Sequence, residues 1–159
     1  PALAETYPDL GLIWTHRSPA DVIPSLSSLY TELRRVFSDS VNPKATGPEV
    51  TRVWADGLAR GLAALDQGVV PADRVFHVHY THLAADPVGT VRRLYEHFGL
   101  PFTAEFESRL RSFLKEFPRG RFGRHEYSLE EFGLNEGEEQ RRYQGYCERF
   151  GIPWRAGRN

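Results

Sequence analysis

Apolar positions in this chain fall into two short continuous runs and several longer stretches spaced at three and four residues, a pattern that predicts an α/β protein in which helices predominate. The first run, Leu10 to Thr15, predicts a buried strand after a turn at Tyr7-Pro8-Asp9. A helix follows from Pro19 to about Phe37, kinked at Pro24, and Ser38 to Gly47 reads as a loop. From Pro48, the spacing of Val50, Val53, Trp54, Leu58, Leu62 and Leu65 predicts the core face of a second helix ending at Gly68. The second run, Arg74 to Tyr80, predicts another strand. Strands joined by such a crossover are expected to be parallel.

The remainder is helical. Asp86-Pro87 opens a helix whose core face is Val91, Leu94, Tyr95 and Phe98, stopped by Gly99 and Pro101. Phe106, Leu110, Phe113 and Leu114 mark the next helix, which ends at Pro118. Ser128 with Glu131, and Asn135 with Glu138, have capping-box spacing, the first in a short structural helix over Tyr127 to Leu134 pinned by Leu129, Phe132 and Leu134, the second before a last helix closing at Phe150-Gly151.

Composition narrows the function classes. With 159 residues, 40% of them hydrophobic, the chain has material for about one domain and its core. Twenty basic against 21 acidic residues exclude a broad electrostatic footprint for nucleic acid or membrane, so any basic site is local. No apolar run reaches the roughly 18 residues of a transmembrane helix. The single cysteine, Cys147, excludes an internal disulfide framework and suits a reducing, cytoplasmic setting. The sequence opens at Pro1 without a secretory signal pattern, in what reads as the tail of an element. Two parallel strands are too few for a stable sheet, so further strands are expected from outside this sequence, and these residues alone are expected to fold poorly.

The local basic site is Leu12-Ile13-Trp14-Thr15-His16-Arg17-Ser18-Pro19, with Ser25 eight residues beyond Arg17. A strand leads into an arginine and then into a helix opened by Ser18 as cap and Pro19 in its first turn. Free amides at a helix start, a guanidinium fork and a hydroxyl two turns on make an anion site. An ordinary strand-to-helix corner with a surface arginine has the same sequence. His77, His79 and His82 form H-x-H-x-x-H, which suits packed or partly solvated histidines better than a metal site, and no metal is expected. Arg119, Arg121 and Arg124, interleaved with Gly120 and Gly123, read as a cationic loop able to close on an anion.

These stretches, with Tyr80-Thr81-His82-Leu83-Ala84-Ala85-Asp86-Pro87 and the run from His125 to Leu134, resemble the C-terminal half of the bacterial-type sulfotransferases of the P-loop superfamily. The resemblance covers nearly the whole chain. It implies the C-terminal portion of a three-layer α/β/α domain over residues 1–159, with the N-terminal half that carries the glycine loop lying outside it. It also implies a donor, 3′-phosphoadenosine 5′-phosphosulfate, which leaves as 3′,5′-adenosine bisphosphate, and a small-molecule, lipid or glycan acceptor. By that analogy Arg17 and Ser25 hold the 3′-phosphate, Tyr80 lies against the adenine, and Arg119 with the Gly120 backbone returns over the 3′-phosphate. The family follows its tyrosine with two acidic residues, whereas Thr81 and His82 stand here. No catalytic base is assigned, and association with the missing half or a second copy is open. A P-loop kinase would need a Walker loop and an acidic Mg2+ partner, neither evident here; a non-catalytic nucleotide- or partner-binding module is the other alternative.

Overall fold

The computed structural model describes residues 2–118 and 127–154. In chain order the elements are α1 (Ala2–Thr6), β1 (Leu12–His16), α2 (Pro19–Arg35), α3 (Pro43–Asp66), β2 (Val75–His79), α4 (Tyr80–Ala85), α5 (Pro87–His97), α6 (Ala104–Glu116) and α7 (Glu136–Phe150). Short 3-10 turns stand before β2, at Ala72–Arg74, and before α7, at Glu130–Phe132. The fold is therefore α/β and helix-rich, with one sheet of two parallel strands among the described residues. The chain divides into two compact units, Pro1–His16 with Ala64–His125, and Arg17–Ala63 with Glu126–Asn159.

The first unit is built on the β1–β2 pair, in register from Leu12 opposite Val75 to His16 opposite His79. Because side chains alternate across a sheet, Phe76 and Val78 share one face and His77 and His79 the other. The Phe76 ring packs on His97 and Phe98 at the end of α5, with centroids 5.2 and 6.4 Å away. Asp86 caps α5 by accepting from the Gly89 amide at 2.9 Å, and Thr103 caps α6 by accepting from the Phe106 amide at 3.1 Å. Tyr95 stacks on Phe106, joining the two helices.

The second unit is helical. Ile23, Leu129, Leu134 and Tyr143 form its core, with Ala55, Leu58, Cys147 and Trp154 packed against them. The predicted capping boxes form: the Glu131 amide donates to Ser128 Oγ and the Ser128 amide to Glu131 Oε1, both at 3.3 Å, while Asn135 Oδ1 accepts from the Glu138 amide. Gly133, at φ 71°, closes the short turn in the left-handed region. A buried polar network joins α3 and α7. Glu139, 2% exposed, accepts from the Thr51 hydroxyl and pairs with Arg142 at 3.2 Å. The Tyr143 hydroxyl lies 3.0 Å from Thr51 Oγ1 and donates to the Thr51 carbonyl at 3.1 Å. Burial and the adjoining Glu139 carboxylate push the Tyr143 phenol up to about 12.

Several sequence expectations need correction. Strand β1 starts at Leu12 rather than Leu10, and Ile13 and Thr15 are exposed, so it is not a buried strand. Helix α3 starts at Pro43 rather than Pro48, because Asn42 Oδ1 accepts from the Lys44 amide and Pro43 fills the first helical position. Pro48 is carried inside it. Its buried residues are Thr46, Gly47, Val50 and Thr51, whereas Val53 and Trp54, expected in the core, are 47% and 44% exposed. Phe113 on α6 is likewise exposed. The short helix expected over Tyr127 to Leu134 is a 3-10 turn, although Leu129, Phe132 and Leu134 are buried as expected.

Candidate functional site

Arg17 and Ser25 lie in one unit and are both exposed. Arg17 sits two residues ahead of α2, and Asp21 and Ser25, four apart within the helix, share one of its faces. Arg17 Nε forms an ion pair with Asp21 Oδ2 at 3.6 Å, both side chains being nearly half exposed. The Arg17 backbone hydrogen-bonds the Tyr146 hydroxyl, which burial pushes up to about 12.

Ser18 occupies the N-cap position of α2, yet its side chain makes no capping bond; its hydroxyl donates to the Trp154 carbonyl instead. This corrects the expected cap. The Ser18 carbonyl already accepts from the Asp21 and Val22 amides, and Pro19 has no amide to give. An anion at this corner would therefore be met chiefly by side chains. Trp154, whose indole N–H donates to Glu136 Oε1 at 3.1 Å, ties the segment after α7 to the start of α2.

Tyr80 belongs to the other unit. Predicted as the end of the second strand, it is instead the first residue of α4, half-buried, immediately after β2. The turn into a helix one residue earlier follows from the run Tyr80 to Ala85, which lacks β-branched residues apart from Thr81. Arg119, Gly120 and the rest of the cationic loop through His125 lie outside the described residues.

The histidines gather on one face of the β1–β2 pair. His16 Nε2 and His77 Nδ1 share a hydrogen bond at 2.8 Å, and the His16 ring centroid lies 5.4 Å from that of His79, which in turn lies 5.3 Å from His82. Trp14 stacks beside His16 at 6.0 Å. His16 is 1% exposed, and burial, reinforced by the neighbouring His77 and His79, lowers its pKa to about 4. These rings lie side by side, and no group of three or more His, Cys, Asp or Glu among the described residues is arranged to hold a metal.

A groove of about 670 Å³ runs along α7, bounded by Gln140, Arg141, Gln144, Cys147 and Trp154. It contains none of the residues predicted to hold a donor. No helix among the described residues is long and apolar enough to cross a membrane. Asp21 and Tyr146 were not singled out from sequence; Asp21 stands four residues from both Arg17 and Ser25, a spacing that was readable, whereas the Tyr146 contact spans most of the chain.

Comparison with known proteins identifies the family. A family model described as "Sulfotransferase family" matches residues 1–104. Omega-hydroxy-beta-dihydromenaquinone-9 sulfotransferases of Mycobacterium bovis and Mycobacterium tuberculosis are 31% identical over 118 residues, 72% of this chain and 29% of theirs. The chain thus spans under a third of the length of these curated relatives. The crystal structure of sulfotransferase STF9 from Mycobacterium avium matches with a TM-score of 0.81 and 31% identity, covering 96% of this chain and 39% of that one. Sulfotransferase STF1 from M. tuberculosis matches at 0.69 and 29%, covering 91% and 36%. With the family model spanning residues 1–104 and the fold shared with solved members, the chain belongs to the sulfotransferase family.

Proposed function

We propose that the protein transfers a sulfuryl group from 3′-phosphoadenosine 5′-phosphosulfate to an acceptor hydroxyl or amine, as a cytoplasmic enzyme. In this reading the chain is the C-terminal portion of a three-layer α/β/α domain and holds the 3′-phosphate and adenine side of the donor. The observation that carries the reading is an exposed arginine at the strand-to-helix corner, Arg17, and an exposed hydroxyl on α2, Ser25, within the segment that matches the sulfotransferase family. These residues suit a phosphate: a guanidinium offers a planar pair of donors and a serine hydroxyl one more. Tyr80 offers an aromatic face to the adenine, and Arg119 with the Gly120 amide offers further donors to the 3′-phosphate. Bound, the donor supplies the sulfuryl group; these residues orient it and neutralise its charge. The curated relatives are named for an ω-hydroxylated dihydromenaquinone, which supports a lipid-like alcohol as the acceptor class.

Calorimetry with 3′,5′-adenosine bisphosphate and with AMP tests the donor assignment. A charge-assisted hydrogen bond contributes about 1.5–3 kcal/mol, so Arg17→Ala weakens the bisphosphate at least roughly tenfold and AMP little. Equal weakening of both ligands, or of neither, overturns it. Transfer of labelled sulfate from the donor to a long-chain alcohol tests the reaction.

A further inference from the structure

We infer that Tyr146 and the Trp154 carbonyl position the 3′-phosphate corner, holding Arg17 and Ser18 from the far end of the chain; the inference rests on the donor reading above. Arg17 precedes the helical ladder of α2, which starts with the Ser18 carbonyl accepting from the Asp21 and Val22 amides. Pro19 has no amide to tie the turn, and Ser18 forms no side-chain cap. The corner is tied to α7 and its return segment instead. The Arg17 backbone hydrogen-bonds the Tyr146 hydroxyl, and the Ser18 hydroxyl donates to the Trp154 carbonyl.

Both partners are themselves fixed. Tyr146 is buried with its ring 5.4 Å from that of Phe150, and burial holds its phenol at about 12, a neutral hydroxyl at any ordinary assay pH. Past Gly151, which turns the chain in left-handed backbone at φ 61°, the Ile152 amide donates to the Cys147 carbonyl at 2.9 Å. The Trp154 indole then donates to Glu136 Oε1 in the first turn of α7. A side chain that grips a ligand is placed no better than the main chain that carries it. Without the Tyr146 bond the corner is free to shift, and the ligand must draw it back. That cost cannot exceed what the bond contributes to holding the corner, so one neutral hydrogen bond limits it to about tenfold in affinity.

On the full chain, calorimetry with 3′,5′-adenosine bisphosphate and with AMP separates the 3′-phosphate from the rest of the nucleotide. Tyr146→Phe, which keeps the ring and removes the hydroxyl, is expected to raise the Kd of the bisphosphate about three- to tenfold while leaving AMP within about twofold. Ser18→Ala, which cuts the Trp154 contact, should show the same selective loss and carries the test if Tyr146→Phe folds poorly. Tyr143→Phe is the control: it removes a buried hydroxyl of the same helix that is bonded to Thr51, so it lowers stability and leaves the ratio of the two Kd values unchanged. Arg17→Ala serves as reference. If it fails to separate the two ligands, the donor site itself is misassigned and this inference falls with it. If it separates them, and neither Tyr146→Phe nor Ser18→Ala moves the bisphosphate beyond about twofold, only the positioning role is refuted. Equal losses of both nucleotides, or a Tyr143→Phe protein whose ratio shifts as far, mark a general loosening of α7 and also overturn it.

Discussion

Replacing Thr51 by valine keeps the shape of a fully buried side chain and removes one hydroxyl, the group that donates to the Glu139 carboxylate. Glu139 then keeps Arg142, whose guanidinium is 42% exposed and whose pairing is accordingly diluted by solvent. Tyr143 keeps its bond to the Thr51 carbonyl. The loss is thus that of one hydrogen bond to a buried charge, about 1.5–3 kcal/mol. Urea unfolding followed by circular dichroism reads this as a fall in midpoint of about 1 M at an ordinary dependence on urea, with unchanged slope. In a Glu139→Gln background the acceptor is neutral and the same substitution costs about 1 kcal/mol, leaving a coupling of about 1 kcal/mol in a double-mutant cycle. A Thr51→Val protein within about 0.5 kcal/mol of the parent, or an equal loss in both backgrounds, refutes the account of this network.

Two further substitutions and a titration test other parts of the fold. His16, at about 4 in the folded chain against 6.5 in the unfolded, binds its proton more readily when unfolded; its stabilisation is complete above pH 6.5 and is lost as pH falls from 6.5 toward 4. By NMR its ring should stay neutral at pH 5.5, and a midpoint near 6.5 would contradict its burial against His77. Gly47→Ala drives a Cβ into the Phe132 carbonyl and should destabilise by about 1–3 kcal/mol in thermal unfolding; an unchanged Tm would mean that the close approach of α3 to that turn is wrong. Gly133→Ala adds left-handed strain to a contact 2.7 Å from the Lys44 carbonyl and should lose at least 1 kcal/mol in the same assay.

The sequence made some of this legible because certain signals are local. Continuous apolar runs located both strands to within two residues, and Ser128 with Glu131 identified a capping box that forms reciprocally. Other features depend on partners that periodicity does not identify. Val53 and Trp54 keep helical spacing with Val50, yet only Val50 is covered, since a regular stripe says which face is apolar and not how much of it meets another element. Ser18 sits where a cap belongs, but a carbonyl 136 residues away takes its hydroxyl. The start of α3 was masked by a second proline: Pro48 looked like the first helical residue, while Asn42-Pro43 carried the working cap. At the candidate site, the strand exit carrying Arg17 was readable, and the carboxylate paired with it lay between Arg17 and Ser25.

The second unit joins early and late segments of the chain, and this bears on the order in which it can fold. Its internal bonds link Ser18 to Trp154, Thr51 to Glu139 and Thr51 to Tyr143, across separations of 136, 88 and 92 residues. Contacts at such distance form slowly, because a long loop must close before any of them contributes. On the ribosome, α2 and α3 emerge first and wait, with Ile23 and Leu58 unsheltered, until Leu129, Leu134 and Tyr143 have been made. At about 5–20 residues per second that wait lasts several seconds, time enough for a chaperone to engage these helices or for two nascent chains to associate.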